Sequence, residues 1–389
     1  MVKPSEVNIQ QLVELLLVRA YRERASDIHI EPRSDKVRVR FRIDGVLFER
    51  TPIVVEHSDS VVRRLKILAQ LDITEQRLPQ DGGFEAQTGK HKTPFRIATF
   101  PTEYGEKVVL RLLASSREAP RIDQLGYGAA REVVLKRIVN NSEGIVLVTG
   151  PTGSGKTTSM YAMLRELEST ERNIVTLEDP IEYRFDSIIQ GQINTRVGFT
   201  FAKGLRHILR QDPDVIMVGE MRDYETAETA FKASLTGHLV FSSLHTNSVA
   251  DTFVRLLDMG LERFVVASAL RAVIAQRLLR RVCLMCRSPS QLLPEHHPLL
   301  EGQTVQDRQV IYNPKGCGDC NGTGYVGRIG IFEILEVDEE LADLLKFTSL
   351  TRTELKTNLR EKGVVSLREC GMEQVLKGET TIEEVLRVT

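Results

Sequence analysis

The stretch Gly-Pro-Thr-Gly-Ser-Gly-Lys-Thr, residues 150–157, decides the fold of this 389-residue chain. It follows an apolar run at residues 145–148 that predicts a buried strand, and it precedes a helical pattern over residues 157–167. Its glycines let the backbone curl so that successive N–H groups point at phosphate oxygens, and the helix N-terminus adds partial positive charge. Strand, loop and helix in this order predict a phosphate-binding loop in an α/β domain.

Two side chains of this loop have predicted chemical roles. Lys156 would reach the terminal phosphates of ATP, and the Thr157 hydroxyl would hold Mg²⁺. The alternative is a glycine-rich turn without a ligand, but such a match arises by chance in about one chain in a hundred of this length. The candidate nucleotide-binding residues are Gly150, Pro151, Thr152, Gly153, Ser154, Gly155, Lys156, Thr157 and Thr158.

Carboxylates follow two further apolar runs. The run at residues 215–218 leads through a glycine to Glu220, and the run at residues 174–177 leads to Glu178 and Glu182. The carboxyl ends of parallel strands meet at one sheet edge, where ligands bind in open α/β folds. Glu220 would hold Mg²⁺ through water or polarise the attacking water. All three acids are catalytic candidates, against the alternative of solvated loop residues.

Two histidines flank a fourth apolar run, at residues 239–242. A histidine at a strand end can sense the γ-phosphate or relay a proton, although a lone histidine is more often a satisfied structural group. His238 and His245 are therefore the remaining catalytic candidates.

Four of the five cysteines form two Cys-x-x-Cys pairs separated by 30 residues, Cys283 with Cys286 and Cys317 with Cys320. Two such pairs supply the four thiolates of a closed tetrahedral Zn²⁺ site. The alternative is a redox disulfide, which needs only one pair and a thioredoxin-like context. The sequence predicts structural zinc. The arginines just before the first pair, Arg277, Arg280 and Arg281, are expected on a solvated or ion-paired helix face.

Composition limits the partners. Fifty-two basic and 53 acidic residues give a net charge of -1, and 6% aromatic residues without tryptophan offer little for stacking on bases. These values argue against nucleic acid. No apolar run approaches the roughly 20 residues that cross a bilayer, so we expect a cytoplasmic protein that touches a membrane only through partners.

The order of these patterns predicts five segments. Residues 1–113 read as a small α/β domain with a hairpin that is apolar on one face and basic on the other, and residues 114–120 as a linker. Alternating strands and helices predict a parallel-sheet ATPase core at residues 121–282. Residues 283–328 would form the cysteine knob, and residues 329–389 a mostly helical end.

Together the motifs resemble the ATPases of bacterial type II secretion and type IV pilus assembly, over nearly the whole chain. The matching segments are Ser-Asp-Ile-His-Ile-Glu at 26–31, Phe-Arg-Ile-Asp-Gly at 41–45, Arg-Leu-Pro-Gln-Asp-Gly at 77–82, the phosphate loop, Glu-Asp-Pro-Ile-Glu at 178–182, Leu-Arg-Gln-Asp-Pro-Asp at 209–214, Gly-Glu-Met-Arg-Asp at 219–223, Thr-Gly-His at 236–238, Leu-His-Thr-Asn at 244–247, Ala-Gln-Arg-Leu at 275–278, the cysteine knob and Thr-Gly-Tyr-Val-Gly-Arg at 323–328. The segments at 201–206 and 233–238 look more like type II secretion motors than pilus motors.

The resemblance implies a PAS-like small domain, a RecA-like ATPase domain and a homo-hexamer driven by domain rotation. ATP would sit between the two domains, and the partners would be an inner-membrane platform protein and other machinery subunits. By the same resemblance, Glu182 activates water and Glu220 is the atypical second carboxylate. The arginines that the resemblance places on the phosphates, in part from a neighbouring copy, are Arg96, Arg111, Arg206 and Arg210, with Arg42 as a weaker candidate.

Three alternative functions stay open beside this one. A pilus retraction motor resembles the RecA-like part but lacks the cysteine knob. A nucleic-acid translocase or helicase needs a basic groove with stacking aromatics. A nonhydrolysing subunit would have lost Lys156 or the carboxylates. Family members usually carry a further N-terminal domain that docks on an inner-membrane partner, and this sequence begins almost at the small domain.

Overall fold

The computed structural model describes residues 8–113, 119–292, 296, 309–348 and 351–389. The chain forms two compact units, Met1–Arg117 and Glu118–Thr389. Most of the linker predicted at residues 114–120 lies outside the described residues. Across the part of the chain that is described, no helix has the length and hydropathy needed to span a bilayer.

The first unit is a six-stranded antiparallel sheet with two helices on one face. Its elements are α1 (Ile9–Arg22), β1 (Ala25–Pro32), β2 (Lys36–Ile43), β3 (Val46–Val54), α2 (Ser58–Leu68), β4 (Gln80–Thr88), β5 (His91–Thr102) and β6 (Gly105–Leu112). The strand order is β3-β2-β1-β6-β5-β4. The Asn8 side chain accepts a hydrogen bond from the Gln11 backbone N–H and so caps α1.

The alternation along β2 separates the two faces of this sheet. Phe41 and its apolar neighbours pack into a core with Leu17 of α1 and Leu65 of α2. The opposite face carries Arg38 and Arg40, whose guanidinium groups bind the buried carboxylate of Glu31. The expected hairpin with one apolar and one basic face is confirmed.

The second unit contains a larger, mostly parallel sheet. Its elements are α3 (Ala129–Val139), β7 (Gly144–Thr149), α4 (Lys156–Leu167), β8 (Ile174–Glu178), β9 (Ile189–Gln192), α5 (Phe201–Ile208), β10 (Val215–Val218), α6 (Tyr224–Leu235), β11 (Leu239–Leu244), α7 (Val249–Asp258), α8 (Arg263–Ala269), β12 (Leu270–Val282), β13 (Ser288–Gln291), β14 (Val310–Asn313), β15 (Tyr325–Glu336), α9 (Glu339–Phe347), α10 (Arg352–Glu361), α11 (Leu367–Leu376) and α12 (Ile382–Val388).

This sheet has the order β15-β12-β7-β11-β10-β8-β9. All of its pairings are parallel except that of β12 with β15. Successive residues of β7 enter different cores, with Leu147 on one face and Val146 on the other. Helices therefore cover both faces, and the predicted α/β fold with a cysteine insert and C-terminal helices is confirmed.

One expectation about the region around the insert is wrong. Arg277, Arg280 and Arg281 lie on strand β12 rather than on a helix. The segment after Arg328 is mostly helical, although β15 first continues to Glu336. The error about the arginines has a physical cause. β12 pairs with β7 and β15 at once, and a strand enclosed in this way loses the period-two pattern that marks a strand in sequence.

Candidate functional site

The phosphate loop curls tightly between β7 and α4. Gly150 and Gly155 have φ angles of 152° and 89°, in the region that favours glycine. A Cβ at Gly150 would lie 2.6 Å from the Gln276 carbonyl oxygen, and one at Gly155 would lie 2.7 Å from Gln276 Nε2. Gln276 also accepts a hydrogen bond at Oε1 from Ser159 Oγ of α4, at 2.8 Å. Strand β12 therefore fixes the shape of the loop.

Lys156 begins α4 and folds back over the loop. Its Nζ donates to the carbonyl oxygens of Gly150 at 2.8 Å and Pro151 at 3.2 Å, and the residue is buried. Burial lowers the pKa of Lys156 to about 8, while the negative charge of Glu220 acts in the opposite direction. A buried ammonium held only by carbonyl oxygens is suited to receive an anion such as a phosphate.

This environment predicts that nucleotide affinity depends on pH through Lys156. In the free site the lysine loses its proton above pH 8, whereas a bound phosphate favours the charged form and raises the pKa. Binding above pH 8 therefore takes up a proton, and affinity should fall by up to about tenfold per pH unit. Below pH 8 Lys156 should add no pH dependence. Fluorescence titration with a labelled ADP from pH 6.5 to 9.5 measures this profile.

The matched control is Lys156→Arg, because a guanidinium keeps its charge throughout this range. The decline above pH 8 should disappear in that variant even if its affinity is lower at every pH. An equal decline in both proteins would assign the pH dependence to another group.

The second predicted carboxylate meets a predicted histidine at the same sheet edge. Glu220 follows β10, and its Oε2 lies 3.3 Å from Nε2 of His245, which follows β11. Arg222 binds the other carboxylate oxygen at 2.6 Å. Since the charge of Glu220 also acts on Lys156, the structure brings Lys156, Glu220 and His245 together. The group combines a buried ammonium, a carboxylate and an imidazole ring.

The other two acids differ sharply in exposure. Glu178 is buried at the end of β8 and accepts hydrogen bonds from Tyr161 Oη, Thr176 Oγ1 and Gln190 Nε2. Burial raises the pKa of Glu178, and these hydrogen bonds oppose the rise. Tyr161 Oη also accepts from the backbone N–H of Glu182 at 3.2 Å. Glu178 thus helps to build the segment that carries Glu182, whose own side chain is exposed.

His238 lies away from this group within the chain. Its backbone oxygen accepts from the N–H of Gly144, the first residue of β7, whereas the phosphate loop follows the last. A six-residue strand at about 3.3 Å per residue separates its first and last residues by roughly 17 Å. The His238 ring Nδ1 lies 3.0 Å from the Ala233 carbonyl oxygen. The two histidines flank β11 as predicted, and a catalytic role for His238 stays a prediction.

The predicted phosphate-contacting arginines fall into two pairs. Arg206 binds Glu225 of α6, and Arg210 donates to the Arg206 carbonyl oxygen at 2.9 Å. In the first unit, Arg96 and Arg111 are cross-strand neighbours on β5 and β6. Arg111 Nε donates to Asp27 Oδ1 at 2.9 Å. Arg42 Nε lies 3.7 Å from the other oxygen of the same carboxylate, Oδ2. Phosphate contacts by these arginines stay a prediction.

The four cysteines converge on one point between β12 and β15. Their sulfur atoms lie within 4.8 Å of one another, with separations of 3.8 Å for Cys283 to Cys317, 3.9 Å for Cys286 to Cys320 and 3.7 Å for Cys317 to Cys320. Four tetrahedral Zn–S bonds of about 2.3 Å would separate the sulfurs by about 3.8 Å. Backbone N–H groups of Gly316 and Gly324 donate to two of the sulfurs, so the residues fit Zn²⁺ without rearrangement.

Sequence reasoning missed two residues that support the phosphate loop and its neighbouring carboxylates. Gln276 and Tyr161 lie in apolar runs, and their roles depend on contacts with residues that are distant in sequence. Gln276 falls within a family-like segment, Ala-Gln-Arg-Leu at 275–278, which was the one available signal. Tyr161 is packed against Tyr183 and Phe185 of the acidic segment, and local sequence shows none of this.

Comparisons with known proteins agree with this geometry. Residues 3–387 match the family model described as Type II/IV secretion system protein. The type II secretion system protein E of Aeromonas hydrophila is 46% identical over 381 residues, which cover 98% of this chain and 75% of that protein. The type IV pilus assembly ATPase PilB of Myxococcus xanthus is 44% identical over 382 residues, which cover 97% and 67%.

Solved structures show a similar arrangement. The pilus retraction motor PilT with bound ADP has 27% sequence identity and a TM-score of 0.62, over 96% of each chain. The ATPase DotB of Legionella pneumophila shares the fold at 22% identity and a TM-score of 0.72, over 99% of this chain and 97% of that one. With the phosphate loop, its carboxylate partner and the cysteine centre in place, the chain belongs to the type II/IV secretion system protein family.

Proposed function

We propose that this chain is an Mg²⁺-dependent ATPase motor that powers protein secretion through a type II system or assembly of pilin-like filaments. The observation that carries the proposal is the meeting of Lys156, Glu220 and His245 at one sheet edge, in a chain 46% identical to a type II secretion protein and 44% identical to a pilus assembly ATPase. The presence of the cysteine centre favours these two systems over a retraction motor.

The proposed division of labour follows the chemistry of each residue. The loop N–H groups and Lys156 would bind the phosphates, and Thr157 with Glu220 would hold Mg²⁺, which neutralises charge on the transferred phosphoryl group when bound. Glu182 would accept a proton from the attacking water, since its carboxylate is exposed and follows the Tyr161-anchored turn. His245 would sense whether the γ-phosphate is bound, through its contact with Glu220.

The proposed assembly is a homo-hexamer bound to an inner-membrane platform protein and other machinery subunits. The assembly would lie in the cytoplasm, where ATP is available. Zinc would stabilise the fold of the cysteine knob. Arginines such as Arg210 would be supplied to a neighbouring copy, because within the chain Arg210 contacts its own helix end rather than the loop. An isolated copy should then hydrolyse ATP slowly.

The test is ATP hydrolysis across a protein-concentration series, with and without Mg²⁺ and single-stranded DNA. We expect specific activity that rises with oligomerisation, requires Mg²⁺ and is unaffected by DNA. Activity that appears only with nucleic acid would reject the secretion motor and support a translocase.

The same assay assigns the two carboxylates. Glu220→Gln and Glu182→Gln should each lower kcat by about 100-fold or more while the KM for ATP changes only a few-fold. The amide at position 182 cannot accept a proton from water, and the neutral amide at position 220 is a weaker Mg²⁺ ligand, whereas the loop and Lys156 that bind the phosphates stay in place. Glu228→Gln is the control, since Glu228 is a surface acid of α6 that pairs with Lys232. Full activity in either site variant would remove that residue from the mechanism.

A further inference from the structure

Arg277 is a buried cation whose partners come from three separate parts of the chain. It lies on β12 with 7% of its surface exposed. Its Nη2 donates to the Asn247 carbonyl oxygen at 2.8 Å and to Asn247 Oδ1 at 3.3 Å, its Nη1 to the Gln276 carbonyl oxygen at 2.9 Å, and its Nε to the Val388 carbonyl oxygen at 3.2 Å. All four of these acceptors are carbonyl oxygens, so the direct hydrogen bonds of the guanidinium join separate segments. The charges of Glu333 and Asp251 act on it from further away.

The three partner segments of Arg277 lie at different places relative to the phosphate loop. Gln276 touches the phosphate loop directly at Gly150 and Gly155. Asn247 follows His245 by two residues, so its backbone sets where that histidine stands. Val388 belongs to α12, which is tied to β12 a second time by Glu384 and Arg280, at 2.9 Å.

The segment that carries His245 needs such a support. The segment begins after Leu244, the last residue of β11. Thr246 is anchored to β7 because its N–H donates to Thr149 Oγ1 at 3.0 Å. Asn247 is exposed, and Arg277 is the side chain that holds its carbonyl oxygen. Between these two anchors His245 reaches Glu220 at 3.3 Å. A shift of the Asn247 backbone would therefore move His245 away from Glu220.

We propose that Arg277 is a positioning residue for hydrolysis, which fixes the segment 245–247 against the phosphate loop so that His245 meets Glu220. The inference rests on the proposed ATPase function and adds the residue through which the histidine segment, the loop and α12 are joined. Arginine suits this role because its planar fork reaches several acceptors at once, which a lysine ammonium on a flexible stem does not.

The variant that tests this is Arg277→Lys, which keeps the charge and removes the fork. We expect kcat to fall by about 100-fold, the loss that a misplacement of about 1 Å can cause, with the KM for ATP changed less than about threefold. Arg280→Lys is the matched control on the same strand. It weakens the contact with Glu384 of α12 but leaves Asn247 untouched, so it should lower the melting temperature comparably while kcat stays within about threefold of wild type.

A double mutant separates positioning from general support. If Arg277 acts through His245, then Arg277→Lys combined with His245→Ala should be no slower than the slower single variant, because residues that act as a unit are not additive. Losses that multiply, or an unchanged kcat in Arg277→Lys, would overturn the proposal. Should Arg277→Lys fail to fold, Asn247→Gly loosens the same segment from an exposed position and is expected to lower kcat in the same way.

Hydrogen exchange gives a readout that does not depend on turnover. Amides of residues 244–248 should exchange faster in Arg277→Lys than in wild type, and at the wild-type rate in Arg280→Lys. An inactive wild-type protein would reject the ATPase function, whereas unchanged exchange in Arg277→Lys would reject the positioning role whatever the activity.

Discussion

Lys156→Ala is expected to lower ATP hydrolysis by about 100- to 1,000-fold, the loss that follows removal of one preorganised group that stabilises transferred charge. Lys156 is the buried cation at the start of α4, and its ammonium donates to two loop carbonyls and is stabilised by the charge of Glu220. Removing it deletes the charge that a phosphate would meet. The same change relieves the cost of burying an ammonium whose pKa is lowered to about 8, so thermal stability should stay the same or rise slightly.

Steady-state hydrolysis and a melting curve on the same samples check both halves of this expectation. Lys232→Ala is the control, because Lys232 is an exposed lysine of α6 paired with Glu228. That variant should hydrolyse ATP as the wild type does. Substantial hydrolysis by well-folded Lys156→Ala would show that the loop is not the site of turnover.

Cys283→Ser is expected to remove the metal and unfold the insert between β12 and β15. The buried apolar side chains described in that insert are Ile311 and two of the cysteines themselves, which is too little to form a core. Zinc binding supplies on the order of 10 kcal/mol in small domains of this kind. Without it, the described parts of the insert, residues 283–292 and 309–324, should become sensitive to protease. Nucleotide affinity should change only a few-fold, because the pairing of β12 with β15 lies outside the insert and remains in place.

Metal analysis, limited proteolysis and nucleotide titration measure the three effects. The wild type should contain about one zinc per chain, and so should the control Cys370→Ala, since Cys370 lies on α11 with its Sγ against the Phe332 carbonyl oxygen. Wild-type protein that contains no metal and has disulfides within the cysteine pairs would contradict the zinc site and support a redox role for these cysteines.

The parts of the fold that the sequence predicts are those in which neighbouring residues carry the signal. Glycines, a lysine and a threonine at fixed spacing lie on one loop, and each Cys-x-x-Cys pair lies on one turn, so both sites could be derived from short motifs. β10 is a short buried run whose limits the sequence predicts, and β11 begins at Leu239 as predicted but continues two residues beyond the predicted end, to Leu244.

The parts that escaped prediction depend on pairing between distant residues. Arg277, Arg280 and Arg281 were expected on a helix because β12 has apolar residues on both faces, and only its contact with β7 and β15 makes it a strand. Sequence order places His238 and His245 at opposite ends of β11, but the register of β11 against β7 was needed to show that the His245 end lies beside the phosphate loop. β4 contains two adjacent glycines and few apolar residues, so its pairing with β5 leaves little trace in sequence.

The cysteine insert leaves and re-enters the sheet at one place, because Val282 and Tyr325 are paired residues of β12 and β15. Topologically, residues 283–324 are therefore a long hairpin loop, and loop length affects the entropy of chain closure only weakly. A related gene could exchange the whole insert for a short turn through one deletion, without altering the strand that shapes the phosphate loop. The metal module and the nucleotide site are thus free to evolve at different rates within a single chain.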